Sequence, residues 1–457
     1  MGWLLLIAGG FVVAALLLVL SVSVHPALAA ALPIPIVAGL VIVARPFLGV
    51  LAMVLFTQMD AVLDKLTLGL PSMKLLAAGT LVGLALKLAR GQRPIDAGLD
   101  IPAVRVTVLF LLWLGVSSLF SHNLGATAAS LSRLVPLLLM FYFIVMLADD
   151  VRKIKLLTVA MLVSTLISGA VTVLDTHTGQ PLFSTHDAAL MSEWGGHSRS
   201  AGATNYDPTT AAAMLLTGVA QAAIVAILSH HALRYLAVGT VLAGIAGIVF
   251  SLARSASLGL GLVAVWLLYR FRQPKLIAAA IVLAPFVLAA FFQLAPEQYV
   301  ARLLTLIGIG GEDFTLNRRM TYNVIGADLI LQYPIFGIGL GNFPDFYMDF
   351  DYRWLDGRTL TPRVLHNMPL SMIVETGLIG GALFIALIMR SIWPAVQLVR
   401  RGGCGEISLY AEASLTAIAI LLLLSLTLPL QYNKLVWGLL GLTLAISRID
   451  QRQRPPP

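Results

Sequence analysis

The stretch TTAAAMLLTGVAQAAIVAILS, residues 209–229, runs without a single charged side chain. A helix of that length spans about 30 Å, the hydrocarbon thickness of a bilayer. Comparable apolar runs lie at roughly 3–24, 28–43, 47–58, 72–89, 101–119, 128–148, 156–174, 235–252, 255–270, 276–294, 366–390, 409–428 and 434–447. Composition agrees: 59% of the 457 residues are hydrophobic, 11% are charged, and mean hydropathy is +0.91. A soluble domain carries about 25% charged residues. The fold class is therefore an all-α polytopic integral membrane protein with about 12, and up to 14, transmembrane helices. A soluble enzyme, a nucleic-acid binder and an outer-membrane barrel are excluded. The count stays open at 25–60, where Pro33, Pro35 and Pro46 leave either two full spans or a re-entrant segment.

Lys and Arg total 30 against 22 Asp and Glu, a net charge of +8. With the N-terminus inside, 17 of the 30 basic residues fall in short loops on one side, which places both termini in the cytoplasm. The first apolar run has no Lys or Arg before it and exceeds a signal peptide's core, so it reads as a retained anchor. The single cysteine, Cys404, excludes an internal disulfide and falls in a loop with no thiol partner. Three regions follow: transmembrane helices over 1–294 with a smaller periplasmic loop at 175–208, a large, partly helical periplasmic loop at 295–365, and C-terminal helices with a cytoplasmic tail over 366–457.

Nine arginines defy the orientation rule by lying on or near the outer side: Arg133, Arg199, Arg254, Arg302, Arg318, Arg319, Arg353, Arg358 and Arg363. Guanidinium forks grip phosphate bidentately, so this face looks built for an anionic or phosphorylated ligand. Arg254, between two apolar runs, either snorkels to the interface or contacts an anion beside Ser255 and Ser257. Arg318 and Arg319 can serve the same end, or pair with Glu312 and Asp313. Arg199 belongs to a polar loop ending Asp207-Pro208, a plausible helix start. His177, His186 and His197 share that loop, but their spacing matches no compact ligand pattern, so no metal is expected. Gly337, Gly339 and Gly341 have the wrong spacing for a nucleotide fingerprint and read as a compact turn.

His366 opens an apolar helix, with Asn367 as N-cap and Pro369 in its first turn. An unbroken helix would place Gly377 and Gly380 near the histidine's face, where small residues let a neighbouring helix pack beneath it. Nearby arginines and a helix N-terminus would keep the imidazole neutral and basic. One base and several arginines suit transfer from a phosphate-linked donor to a hydroxyl.

These residues resemble the O-antigen ligase superfamily of polytopic glycosyltransferases, relatives of the O-antigen polymerases. Its signature, His, then Asn/Ser/Gln, nine residues, Gly, two residues and Gly/Thr/Tyr, is met by His366-Asn367, Gly377 and Gly380. A second pattern, Arg-x3-Leu, is met by Arg254 and Leu258. The resemblance implies about twelve helices with a helical outer loop over a cavity. It implies transfer of a glycan from undecaprenyl pyrophosphate to a sugar hydroxyl of lipid A–core, at the periplasmic face of the bacterial inner membrane. It further implies an inverting reaction without metal or other cofactor, with His366 as catalytic base. Arg254 and Arg319, or its neighbour Arg318, match the donor pyrophosphate contacts, and Arg199 matches a looser pattern. The partners expected are the lipid-linked donor, the lipid A–core acceptor and membrane lipids, with no nucleic acid. An O-antigen or exopolysaccharide polymerase would use the same donor; a lipid-linked glycan or anion transporter is the alternative from another class.

Overall fold

The computed structural model describes residues 33–67, 71–91, 98, 100–183, 199–272, 300, 314–355, 358–359, 361–402 and 405–453. These residues form helices and turns, with no strand among them. Among them, seven helices are long and apolar enough to cross a membrane, or eight if one sharply bent pair counts as a single span. The sequence-derived runs at 3–24 and 276–294 lie outside the described residues, as do Cys404, Glu312, Asp313, His186, His197 and Arg302.

The helices are α1 (Pro33–Ala44), α2 (Pro46–Leu55), α3 (Asp60–Leu66), α4 (Ser72–Ala89), α5 (Pro102–Ser118), α6 (Leu124–Leu147) and α7 (Val151–Thr178). Then come α8 (Pro208–Leu228), α9 (His231–Phe250), α10 (Arg254–Phe271), α11 (Phe314–Gln332), α12 (Phe343–Tyr347), α13 (Met368–Arg400), α14 (Glu406–Ser425) and α15 (Lys434–Gln453). The ambiguous 25–60 region resolves into a bend of 120° between the segments Val37–Ala44 and Pro46–Gln58. Pro46 explains the break: it lacks an N–H and pushes the preceding Arg45 out of the helical region, to φ −130° and ψ 79°.

The opening run of the sequence analysis becomes α8, the most enclosed span: 83% of its apolar window is buried. Its run of Ala211, Ala212 and Ala213 and its Gly218, whose added Cβ would lie 2.0 Å from Thr165 Oγ1, let α7, α9 and α14 close around it. Side-chain caps start the long helices where the sequence offers them. Asp150 accepts from Lys153 N at 2.7 Å, Asp207 from Thr209 N at 2.9 Å, and Asn367 from Leu370 N at 3.2 Å.

The helix α13 is not continuous. At Gly377 the backbone takes φ 74° and ψ 175°, and the chain turns before resuming as a helix. This corrects the expectation of an unbroken helix with Gly377 making room for a neighbouring helix: a segment of loop enters instead. Residues 334–341 lie against the break, and their backbone takes up the groups it frees. Ile338 N donates to Val374 O at 3.1 Å, Gly339 N to Glu375 O at 3.0 Å, and Leu378 N to Pro334 O at 2.8 Å. Trp113 Nε1 on α5 donates to Thr376 O at 2.8 Å. Every freed group must be met inside the protein, because lipid offers no hydrogen bonds. The approach is backbone on backbone. A Cβ at Gly377 would sit 1.8 Å from Ile335 O, and one at Gly337, itself at φ 72°, 2.5 Å from Gly377 N. The compact turn read from Gly337, Gly339 and Gly341 is therefore the piece that latches onto α13.

The segment leading to the histidine has its own small core of Tyr322, Ile325, Leu329, Ile338, Phe343, Tyr347, Leu365 and Val374. Val374 belongs to α13, so this core grows directly out of the span's first turns. Asn342 fastens it to α6, donating to Thr127 Oγ1 at 2.9 Å.

Candidate functional site

His366 stands two residues before α13, half-buried at the edge of that small core. Its ring lies against Tyr322 of α11, with centroids 5.2 Å apart and planes 20° from parallel. Its Nδ1 is 2.8 Å from Val364 O. A carbonyl can only accept, so Nδ1 carries the proton and the neutral ring presents Nε2 as its lone-pair nitrogen. Stack and hydrogen bond together fix the ring plane and the tautomer. Burial chiefly holds the imidazole below its ordinary value of 6.5, and the Arg319 and Arg363 cations push the same way. The Val364 hydrogen bond and the Asp207 carboxylate work against them. The net direction favours a neutral base.

The protonated, inactive form then accumulates only at a pH below 6.5. An activity that uses this base should hold steady through neutrality and fall as pH drops through that depressed value. Arg319→Ala removes a cation, so the acid limb should move toward higher pH. A pH–rate profile of kcat for both proteins checks this; an unmoved limb would separate Arg319 from the histidine.

The arginines set apart by the charge pattern sort into distinct groups. Arg353 lies over the Phe350 ring, 3.6 Å from its centroid, and Arg358 Nε donates to Tyr347 O at 3.1 Å, so both brace the local fold. Arg318, Arg319 and Arg363 all oppose the burial that pushes the Tyr322 phenol upward, which places the three around the ring that carries His366. The reason is helical spacing: Arg318 and Arg319 precede Tyr322 by four and three residues on α11. Arg318 Nε is buried and has no hydrogen-bond partner among the described residues. Such a donor costs about 1–3 kcal/mol when left unmade, which an anionic oxygen would recover.

Arg199 and Arg254 form a second group. Arg199 is 7% exposed, donating from Nε to Ser251 O at 2.9 Å and from Nη2 to Thr209 Oγ1 at 3.3 Å. It ties the first turn of α8 to the turn before α10. That turn is strained, with Leu252 at φ 55°. Arg254 follows as the first residue of α10, whose N-terminus has no side-chain cap. Beside it, Ser255 Oγ is buried without a partner among the described residues. A first turn without a side-chain cap, a guanidinium and an unpartnered hydroxyl make a coherent anion contact. Asp207, at the start of α8, lies within electrostatic reach of His366.

Sequence reading missed Tyr322, Arg363 and Asp207 as members of this site. Arg363 was legible as a cation three residues before the histidine, and Tyr322 as the residue one turn beyond the arginine pair. Asp207 stood out only as a helix start. His177, the described member of the three loop histidines, sits at the end of α7 with Nδ1 2.9 Å from Val173 O, within its own helix.

Residues 238–385 match a family model described as O-antigen ligase. The match supports membership of the O-antigen ligase superfamily. It runs from within α9 to the middle of α13, and takes in Arg254, Arg318, Arg319, Arg363, His366 and the break at Gly377; Arg199 lies before it. No curated protein matches the chain.

Proposed function

We propose, from this superfamily membership, that the chain is a membrane glycosyltransferase of O-antigen ligase type, moving a glycan from undecaprenyl pyrophosphate to a hydroxyl of lipid A–core at the periplasmic face of the inner membrane. The observation that carries the reading is His366 held as an Nδ1–H tautomer beside a cluster of arginines. In the proposed step, Nε2 takes the proton of the acceptor hydroxyl as that oxygen attacks the anomeric carbon. The bond from that carbon to the pyrophosphate oxygen breaks, its electron pair leaves on the phosphate, and the centre inverts. Arg319, Arg318 and Arg254 hold the leaving pyrophosphate and its growing charge, without a metal. Arg199 acts as a positioning residue through the turn it ties. The cation arrangement suits a donor that enters as an anion and leaves more anionic.

Within the arginine pair, the roles are expected to divide. Arg318→Ala should raise the donor KM about tenfold with a smaller effect on kcat, because its unpartnered Nε awaits an acceptor. Arg319→Ala should lower kcat more than it raises KM, since it also faces the base. Steady-state kinetics on both variants decide the matter, and identical KM and kcat effects would refute the division. Purified protein given undecaprenyl-pyrophosphate glycan and lipid A–core tests the function itself. A core conjugate supports the ligase reading; a longer lipid-linked glycan with no conjugate would replace it with a polymerase.

A further inference from the structure

Glu375 stands two residues before the break in α13, 4% exposed, and the proposed transfer leaves it unused. A buried carboxylate needs donors or a counter-cation. Here main-chain donors serve: the carboxylate faces the amides of Gly341 and Phe343. Gly341, at φ 76°, is left-handed, and Asn342, at φ −91° and ψ −9°, is right-handed. That pairing turns the first and third of three successive N–H groups toward one point, an anion seat made of backbone. Asn342 N turns aside to Gly339 O, and neither Gly341 N nor Phe343 N donates to a backbone carbonyl among the described residues. A side chain of the span thus fills the seat that the loop forms.

The seat lies at the foot of a stack of rings. Phe343 opens α12 and Tyr347 follows one turn on, both fully buried. Tyr347 is held at its far end too, where its hydroxyl accepts from Thr359 N at 2.8 Å. Its ring meets Tyr322 edge-on, with centroids 5.5 Å apart and planes at 64°. Tyr322 is in turn the ring stacked on His366. Protein interiors pack at crystal density, so a displaced Tyr347 displaces the rings that rest on it. We infer that Glu375 is a positioning residue for the proposed transfer: its carboxylate seats the 341–343 turn and thereby sets the place and tilt of the His366 ring. The inference rests on the reading of His366 as the base. It assigns Glu375 the part of a hydrogen-bond acceptor, with no proton to give or take. One of its oxygens, Oε2, has no hydrogen-bond partner among the described residues, so an amide nitrogen in that place would sever no bond.

The test compares Glu375→Gln with Glu375→Leu in the full-length protein. Glu375→Leu removes the acceptor and should lower kcat about tenfold or more, with donor KM little changed, as small misplacements of a reacting group do. A neutral acceptor keeps about half the strength of a charged one, so Glu375→Gln should stay within about threefold of wild type. A second readout needs no transfer at all: the pH midpoint for modification of His366 by diethyl pyrocarbonate, followed by mass spectrometry of its peptide. The charges acting on His366 are those of Arg319, Arg363 and Asp207, all retained, so a moved midpoint reports a moved ring. Burial holds the wild-type midpoint below 6.5; Glu375→Leu should raise it and Glu375→Gln should not. Phe384→Leu, a buried change on α13 beyond the break, should lower Tm and leave the midpoint in place. Should Glu375→Leu not fold, Glu375→Asp serves instead: it withdraws the carboxylate by about 1.5 Å, one C–C bond, and should raise the midpoint too. An unmoved midpoint in the folded variant would overturn the positioning role. Glu375→Gln as slow as Glu375→Leu would overturn it in favour of a proton-transferring carboxylate. If the wild type transfers no glycan, the function reading fails by itself, and the midpoints still decide what Glu375 does to the ring.

Discussion

His366→Ala is expected to lower glycan transfer by about 10²–10⁴-fold, the range that a positioned general base contributes. Donor binding should change little, because the proposed phosphate contacts come from α10 and α11 and not from the imidazole. The lost stack on Tyr322 should cost about 1 kcal/mol of stability, small enough to leave the protein inserted and folded. The informative experiment measures single-turnover transfer and donor affinity on the same preparation. Normal affinity with lost turnover identifies the base. A variant that keeps more than about a tenth of wild-type turnover would mean that proton removal is done elsewhere or does not limit the reaction. His366→Gln adds a finer control, because it can restore a hydrogen bond to Val364 O without restoring the base.

Gly377→Ala should have the largest structural effect of any methyl group added at a glycine among the described residues. Its backbone, at φ 74° and ψ 175°, occupies a region that is essentially reserved for glycine, and holding an alanine there costs about 1–3 kcal/mol. The new Cβ would also meet Ile335 O at 1.8 Å, a contact with backbone that cannot rotate away. Overpacking of that kind costs about 1–3 kcal/mol more. The expected outcome is a protein destabilised by roughly 3 kcal/mol or more, with the 334–341 turn displaced and transfer lost in whatever remains folded. Gly115→Ala on α5, where an added Cβ meets nothing within 4 Å, should be neutral or slightly stabilising. Thermal unfolding of the two variants side by side is the check. Equal Tm values would show that the break at Gly377 has no need of glycine.

The comparison between sequence and structure turns on what hydropathy encodes. Spans such as α8 and α13 were legible because their apolar runs match a physical length. The caps Asp150, Asp207 and Asn367 follow from local chemistry and lie where such residues precede apolar runs. The break within α13 was invisible for the same reason that the span was visible: residues 366–390 read as one apolar run, and hydropathy is blind to a dihedral angle. Its signal was present in two places read separately, the glycine turn at 337–341 and Gly377, and only the fold joins them. Of the site, His366 and its arginines stood out because charge is scarce in such a chain. Tyr322 did not, since an aromatic residue on an amphipathic helix has an ordinary explanation in packing.

The latch between residues 334–341 and α13 also decides which piece of this protein can be exchanged with a relative. Cutting at the membrane surface, just before the histidine, would separate four hydrogen-bonding groups of the span from the loop or side chain that satisfies them. The transferable cassette is larger: it begins with α11, carries the histidine and ends only beyond Leu378, inside the span itself. Even then Trp113 must travel with it or be matched in the host, because α5 supplies the hydrogen bond to Thr376 O. Specificity grafts that respect this boundary keep the imidazole at a fixed height above the bilayer. Grafts that cut at the visible edge of the helix would set it adrift.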